Sequence, residues 1–233
     1  MSRVFDGVLA NHLQLSAEVW PTGATAGTIM VWVKSSNTSP HGLVHYEHHS
    51  SGSDMVVINS EHFETNFQVT ATAGSMETKV GQLMPQGQWD CCVVRWDDAE
   101  TPKNILDFGP FQTTGNNAIY GFAASSSPFL RVGAGDAGQP HNGKLAYVAI
   151  WTDGLSQTSI DELVGGTNPE EITDGTGSLW DYWSFATSSL VGNFAGNTLT
   201  ENGTVVFDGT DDPVVDAPPA GGGSALPLIM QQM

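Results

Sequence analysis

The 25 acidic side chains of this 233-residue sequence are not spaced for acid–base catalysis. Retaining glycoside hydrolysis needs two carboxyls about 5 Å apart, which residues i and i+2 or i+4 of one strand can supply. Glu61 and Glu64 are three apart and face opposite ways on a strand. Asp97 and Asp98 are adjacent and diverge in the same way. Glu170 and Glu171 follow Pro169 at the start of an expected helical turn, where negative charge suits the helix dipole. No catalytic residue is assigned and no enzymatic activity is expected.

Histidine supplies a second kind of chemistry. His41, His45, His48, His49 and His62 cluster, and His45, Glu47 and His49 alternate along one strand face with spacing that can hold Zn²⁺. The surrounding Gly and Ser suit a solvated hairpin face better than a rigid cage. Sugar recognition is a third possibility, with a pyranose lying on an exposed aromatic ring while amides and carboxylates reach its hydroxyls. Trp20, beside Pro21 in a loop, is the expected platform, and His141 and Asn142 in a Gly-rich loop add polar contacts. The other tryptophans fall in strand patterns and read as core.

Composition narrows the partners. Seven Lys and Arg against 25 Asp and Glu give a formal charge of −18, which opposes nucleic acid and anionic membranes. No apolar run approaches the roughly 18 residues of a membrane helix. Strand-like RVFDG starts two residues after Met1 with no apolar leader, so export by the general secretory route is not expected. Cys91 and Cys92 are adjacent and point to opposite faces of a strand, so they are expected to be reduced apolar fillers.

The elements are short strands separated by turn signals. Thr28–Lys34 and Trp89–Trp96 are apolar on both faces and read as central strands. Leu43–His48 and Met55–Asn59 suggest a hairpin, Phe67–Thr72 and Ile105–Phe108 further strands, and Ile119–Ala124 another. Phe129–Val132 alternates as a half-buried strand. Lys144–Trp151 follows the Gly-rich loop, with Leu145, Tyr147, Ala149 and Trp151 expected on one face. Ser159 and Glu162 form a capping box for a short helix that Gly165 stops. Trp180–Phe185 and Val205–Phe207 complete the strands. The predicted fold is all-β, an antiparallel jelly-roll sandwich over residues 1–217. Residues 218–224 read as a Pro/Gly-rich linker. Residues 225–233 (ALPLIMQQM) form an apolar tail that either packs back on the sandwich or docks on another chain through Leu226, Leu228, Ile229 and Met230.

The order Arg131-Val132-Gly133, Gly-rich loop, Asn142-Gly143-Lys144-Leu145, apolar strand ending at Trp151, Leu155-Ser156 and a helix with Asp161-Glu162-Leu163 resembles the laminin G-like, concanavalin A-like lectin/glucanase domains. Phe5-Asp6-Gly7, the TIMVWVK strand at 28–34 and Gln88-Trp89 fit in that family's order, so the resemblance spans about residues 3–215. It implies fold more than activity, because the family hosts lectins, adhesion modules, enzymes and structural domains. Its enzyme branch carries a Glu-x-Asp-x-Glu strand that is missing here. It also implies a structural Ca²⁺ at the sandwich rim, for which Asp6, Asp136 and Asp208 are the candidate ligands, with Asp153, Asp211 and Asp212 as further ones. Where the family often has an Asp after Asn-Gly-Lys, this chain has Leu145-Ala146-Tyr147. The C-terminal segment resembles those of marine phage structural proteins. The expected function is a virion protein, a capsid-decoration or tail-associated component held to other virion chains by its tail and assembling with copies of itself. The alternative is a carbohydrate-binding module for cell-surface glycans.

Overall fold

The computed structural model describes residues 2–8, 10–36, 41–48, 55–61, 64–71, 74–80, 86–108, 111–119, 121–122, 127–135 and 139–211. Asp136, Asp212, His49, His62, the linker and the tail with Leu226, Leu228, Ile229 and Met230 lie outside the described residues.

Two antiparallel sheets make the sandwich. The first contains β1 (Ser2–Asp6), β3 (Ala26–Ser35), β8 (Asp90–Asp97), β9 (Asn104–Phe108), β10 (Phe111–Gly115), β12 (Asn142–Trp151), β13 (Leu179–Trp183) and β15 (Val206–Asp208). Its order is β10-β9-β8-β3-β12-β1-β15, with β13 also paired to β12. The second contains β2 (His12–Leu15), β4 (His41–Glu47), β5 (Met55–Glu61), β6 (Glu64–Ala71), β7 (Gly74–Val80), β11 (Phe129–Val132) and β14 (Thr200–Asn202). It runs β14-β2-β11-β4-β5-β6-β7.

The strands that are apolar on both faces are central because both faces are covered. Ile29, Val31 and Val33 of β3, Cys92, Val94 and Trp96 of β8, and Leu145, Val148 and Ile150 of β12 point into the space between the sheets. They meet Leu13, Val44, Tyr46, Leu130 and Val132 of the second sheet. Met30, Trp32, Cys91, Val93, Ala146, Ala149 and Trp151 face the other way, into a second buried layer shared with Leu155, Ile172 and Tyr182 and with Ile160 and Leu163 of α1 (Gln157–Val164). Each Val, Leu, Ile or Met among them contributes about 1.5–3 kcal/mol on burial. Cys91 and Cys92 are free and buried, one in each layer.

Several local expectations are corrected. Tyr147 does not share a face with Leu145. It has φ 48, and the β12–β3 register shifts between Ala146 and Ala149. This bulge returns Val148 to the face of Leu145. It falls where the β12 edge changes partner, from β1 at Leu145 to β13 at Val148. The helix cap is Ser156, three residues before the expected one, with Ser156 Oγ accepting from Ser159 N–H at 3.3 Å. Ser159 is buried, and its Oγ accepts from Asp174 N–H at 3.0 Å. Gly165 is the C-cap, as expected. Asn168–Glu171 forms turns, with Glu171 N–H bonded to Asn168 O at 2.8 Å, and no helix. The described residues of 119–124 form no strand.

Candidate functional site

The expected sugar platform is part of the core. Trp20 is 0% exposed, and its ring packs at 4.9 Å centroid distance against both Tyr46 and Trp96. Its Nε1–H donates to Trp151 O at 3.1 Å. A Cβ on Gly27 would come within 2.4 Å of Trp20 Nε1, so glycine there makes room for the indole. His141 is also buried, edge-on to Phe5 at 5.7 Å. Asn142 is half-buried beside Gly7 and pairs with Asp6 in register. These residues do not converge. Gly27, under Trp20, and Ser35, opposite Gly143, are at the two ends of β3, roughly 26 Å apart.

The Gly-rich loop before β12 is a stitched connection. Gly133 N–H bonds Leu43 O at 2.8 Å, His141 N–H bonds Gly133 O at 2.9 Å, and Gly7 N–H bonds His141 O at 2.9 Å. Gly133 has φ +84 and lies against the Phe5 ring, which a side chain would displace.

The candidate calcium ligands are separated and engaged elsewhere. Asp6 pairs with Asn142 and Asp208 with Ser2, at the two ends of β1, roughly 13 Å apart. Asp6 accepts from Asn11 Nδ2 at 2.9 Å and Val8 N–H at 3.0 Å, and these hydrogen bonds lower its pKa. Asp208 accepts from Lys144 Nζ at 2.7 Å, and Asp211 accepts from the same Nζ at 2.6 Å. Asp211 also takes Lys34 Nζ at 3.1 Å and Trp89 Nε1–H at 2.7 Å. These carboxylates are counter-ions that fasten the end of the described chain to β3 and β12. Among the described residues no group of three His, Cys, Asp or Glu side chains could hold a metal ion. The Asp6 and Asp208 environments therefore do not fit a shared Ca²⁺. His45 is also not on a solvated face. It is 2% exposed, with its ring at 5.7 Å from Phe129 and its Nε2 at 3.8 Å from Glu47 Oε2.

One cleft collects carboxylates. Glu100, Asp153 and Asp174 line a volume of about 550 Å³ with Arg95, beside the start of α1. Asp153 accepts from Gly154 N–H at 2.9 Å and Asp174 from Ser156 N–H at 2.7 Å, so both serve turns. Burial alone would raise the Asp174 pKa, but the Ser156 and Ser159 hydrogen bonds outweigh it and the net shift is downward. A general acid needs the opposite shift.

The outward face of the second sheet is organised differently. Leu130 and Val132 of β11 point into the core, so Phe129 and Arg131 point out. Arg131 is in register with Gln14 on β2 and His45 on β4, and Phe129 with Glu47. The Arg131 guanidinium carbon is 4.3 Å from the Phe129 ring centroid. Among the described residues the guanidinium has no hydrogen-bond or ion-pair partner, and its Nε is buried. Beside it lies a concavity of about 570 Å³ lined by Gln14, Ser16, Glu18, Ser127, Pro128 and Phe129. A cation held flat on an aromatic ring can still donate through the N–H groups at its terminal nitrogens. Gln14 and Glu18 add acceptors at the rim.

Sequence reasoning did not single out Phe129, Arg131 or Gln14. The signal was the alternation over Phe129–Val132: its polar face places one of only seven Lys and Arg residues two positions from an aromatic ring.

Sandwich, helix-covered outer face and strand order define a lectin-like jelly roll. The family described as the concanavalin A-like lectin/glucanases superfamily, of laminin G type, matches residues 6–161, and the chain belongs to it. No curated protein sequence matches. Among solved structures it is similar to the heptameric SAP-like pentraxin of Limulus polyphemus, with TM-score 0.61 and 11% identity over 88% of this chain and 93% of that one. It is also similar to a candidate carbohydrate-binding protein of Bacteroides ovatus, with TM-score 0.60 and 13% identity over 92% of this chain and 62% of that one. Domain 4 of the extracellular arabinanase AbnA of Geobacillus stearothermophilus, solved with arabinotriose, gives TM-score 0.56 and 14% identity over 70% and 76%. At these identities the likeness is one of fold.

Proposed function

We propose that the chain is a non-catalytic carbohydrate-binding module whose ligand lies at the β2–β11 side of the second sheet, in the concavity that Phe129 lines. The carrying observation is the guanidinium of Arg131, without a hydrogen-bond partner among the described residues, stacked 4.3 Å from the centroid of the Phe129 ring, which lines a concavity of about 570 Å³. Charge-assisted donors, an apolar ring and rim acceptors are what a hydroxyl-rich ring requires. The carbohydrate-binding description of the Bacteroides ovatus structure and the arabinotriose bound to the arabinanase domain support this reading. The test is calorimetric titration of the full chain with a panel of acidic and neutral oligosaccharides. Binding of at least one glycan is expected, weakened about tenfold by Arg131→Gln at unchanged melting temperature. No heat from any glycan would overturn the proposal.

A second reading places this module on a virus particle, through self-association and docking of the apolar tail. Its support is the sequence ALPLIMQQM, which carries no charged side chain. Deleting 225–233 should abolish co-purification with virion proteins, and unchanged co-purification would refute it.

A further inference from the structure

Asp181 on β13 is fully buried and works as a clamp. Its carboxylate accepts from Phe194 and Ala195 N–H, both at 3.1 Å, from Asn197 N–H at 2.8 Å and from Asn197 Nδ2 at 2.9 Å. Gly192 lies against the same group, where a Cβ would come within 2.1 Å of Oδ2. Gly192 N–H to Asn197 O at 2.8 Å and Asn193 N–H to Tyr182 O at 2.7 Å complete the fixation. On this pinned loop Phe194 is 45% exposed and Val191 49% exposed. The backbone that carries this ring, which contributes little to the core, is thus held in one place.

Next to it is a cavity of about 340 Å³, lined by Trp183, Ser184, Phe185, Thr187, Ser189 and Asn193 among others. That is the small end of ligand-site volumes, about 300–1,000 Å³. None of its lining side chains is ionisable, in a chain of net charge −18. The lining is rich in donors. Ser184, Thr187 and Ser189 oxygens accept from Ala186, Ser189 and Val191 N–H at 3.4, 3.1 and 3.2 Å, which leaves each hydroxyl proton to donate. Asn193 Oδ1 accepts from Ser184 N–H at 3.1 Å, leaving its NH₂. Phe185 has φ 49, a backbone that a phenylalanine keeps only where its surroundings enforce it.

We propose that this loop is a second ligand site, for a neutral sugar residue. The sugar ring lies on Phe194, and its oxygens accept from Ser184, Thr187, Ser189 and Asn193. Uncharged donors around a small cavity match ring and hydroxyl oxygens and give no counter-charge to an acidic ligand. The site lies beyond residues 6–161, where the family matches, and does not involve Arg131.

The experiment is amide NMR of the ¹⁵N-labelled full chain titrated with cello-, xylo-, manno- and arabino-hexaose. Shifts at residues 183–194 are expected with at least one of them. Phe194→Ala should weaken that titration about fivefold, as should Asn193→Ala, while Arg131→Gln leaves it unchanged. Shifts confined to Gln14, Phe129 and Arg131 would overturn the second site and leave the sheet-face site standing. Phe194→Ala titrating like the wild type would also overturn the second site, and no shift anywhere with these sugars would do the same.

Discussion

The indole N–H of Trp20 donates to the carbonyl of Trp151 at 3.1 Å, tying the loop before β3 to the last residue of β12. The indole fills the end of the sandwich between Tyr46 and Trp96, and Gly27 gives it clearance. Trp20→Ala leaves a large cavity and removes the indole donor from the Trp151 carbonyl, which costs about 3–5 kcal/mol. Trp20→Phe keeps most of the volume and should recover about half of that. Urea unfolding measures both. A Trp20→Ala variant with wild-type midpoint and impaired glycan binding would restore the ring to the surface and refute this assignment.

The same residue shows where sequence reading ends. β11 was legible because its alternation reports which face is buried, and β3 and β8 because runs apolar on both faces belong inside a sheet. Trp20 lies in a non-periodic stretch beside Pro21, and its burial is decided by Trp96 and Tyr46, 76 and 26 positions away. His141 failed for the same reason, since Phe5 covers it. β7, β10 and β14 are polar strands formed by pairing at sheet edges, which hydropathy does not mark. The bulge at Tyr147 breaks the alternation with no Gly or Pro to announce it. Arg131 and Phe129 were visible as a pair, but only the registers to Gln14 and His45 make them a face.

Lys144 between Asp208 and Asp211 sets the acid limb of stability. Burial opposes ionisation of Asp211, but hydrogen bonds from Lys144, Trp89 and Lys34 outweigh it and hold its carboxyl at about 2. Lys144 and Thr210 hold Asp208 well below the ordinary carboxylate range. Groups depressed in the folded state stabilise fully above their unfolded pKa, near 4. That contribution is lost as pH falls through about 2. Lys144→Met should therefore cost about 1 kcal/mol at pH 7, discounted for the partly exposed pairs, and the difference from wild type should shrink toward pH 2. Chemical denaturation across pH 2–7 reads this out, and a constant difference would contradict it.

Asp90 acts in the opposite sense. Burial at the start of β8 pushes its carboxyl up to about 6. Its protonated form is favoured by folding, so its contribution is fully present below the unfolded value near 4. It is lost as pH rises through about 6. Asp90→Asn removes the charge and should stabilise the protein by about 1 kcal/mol at pH 7, with little effect at pH 4. A variant less stable than wild type at pH 7 would show that Asp90 has a partner that favours its ionised form.

Tyr147 offers a test of the β12 bulge itself. Alanine is normally the better residue in an extended segment, and glycine there is worse by roughly 0.5–1 kcal/mol. At φ 48 the preference inverts, because only glycine occupies the left-handed region without a Cβ penalty. Both Tyr147→Ala and Tyr147→Gly lose the ring that packs beside the outer core layer, so both should be less stable than wild type. Between them the glycine variant should be the more stable by about 1 kcal/mol, since they delete nearly the same contacts and differ in backbone freedom. Urea midpoints for the pair decide it. An alanine variant equal to or better than the glycine one would mean that β12 runs through Tyr147 as a regular strand, and Val148 would then not share a face with Leu145.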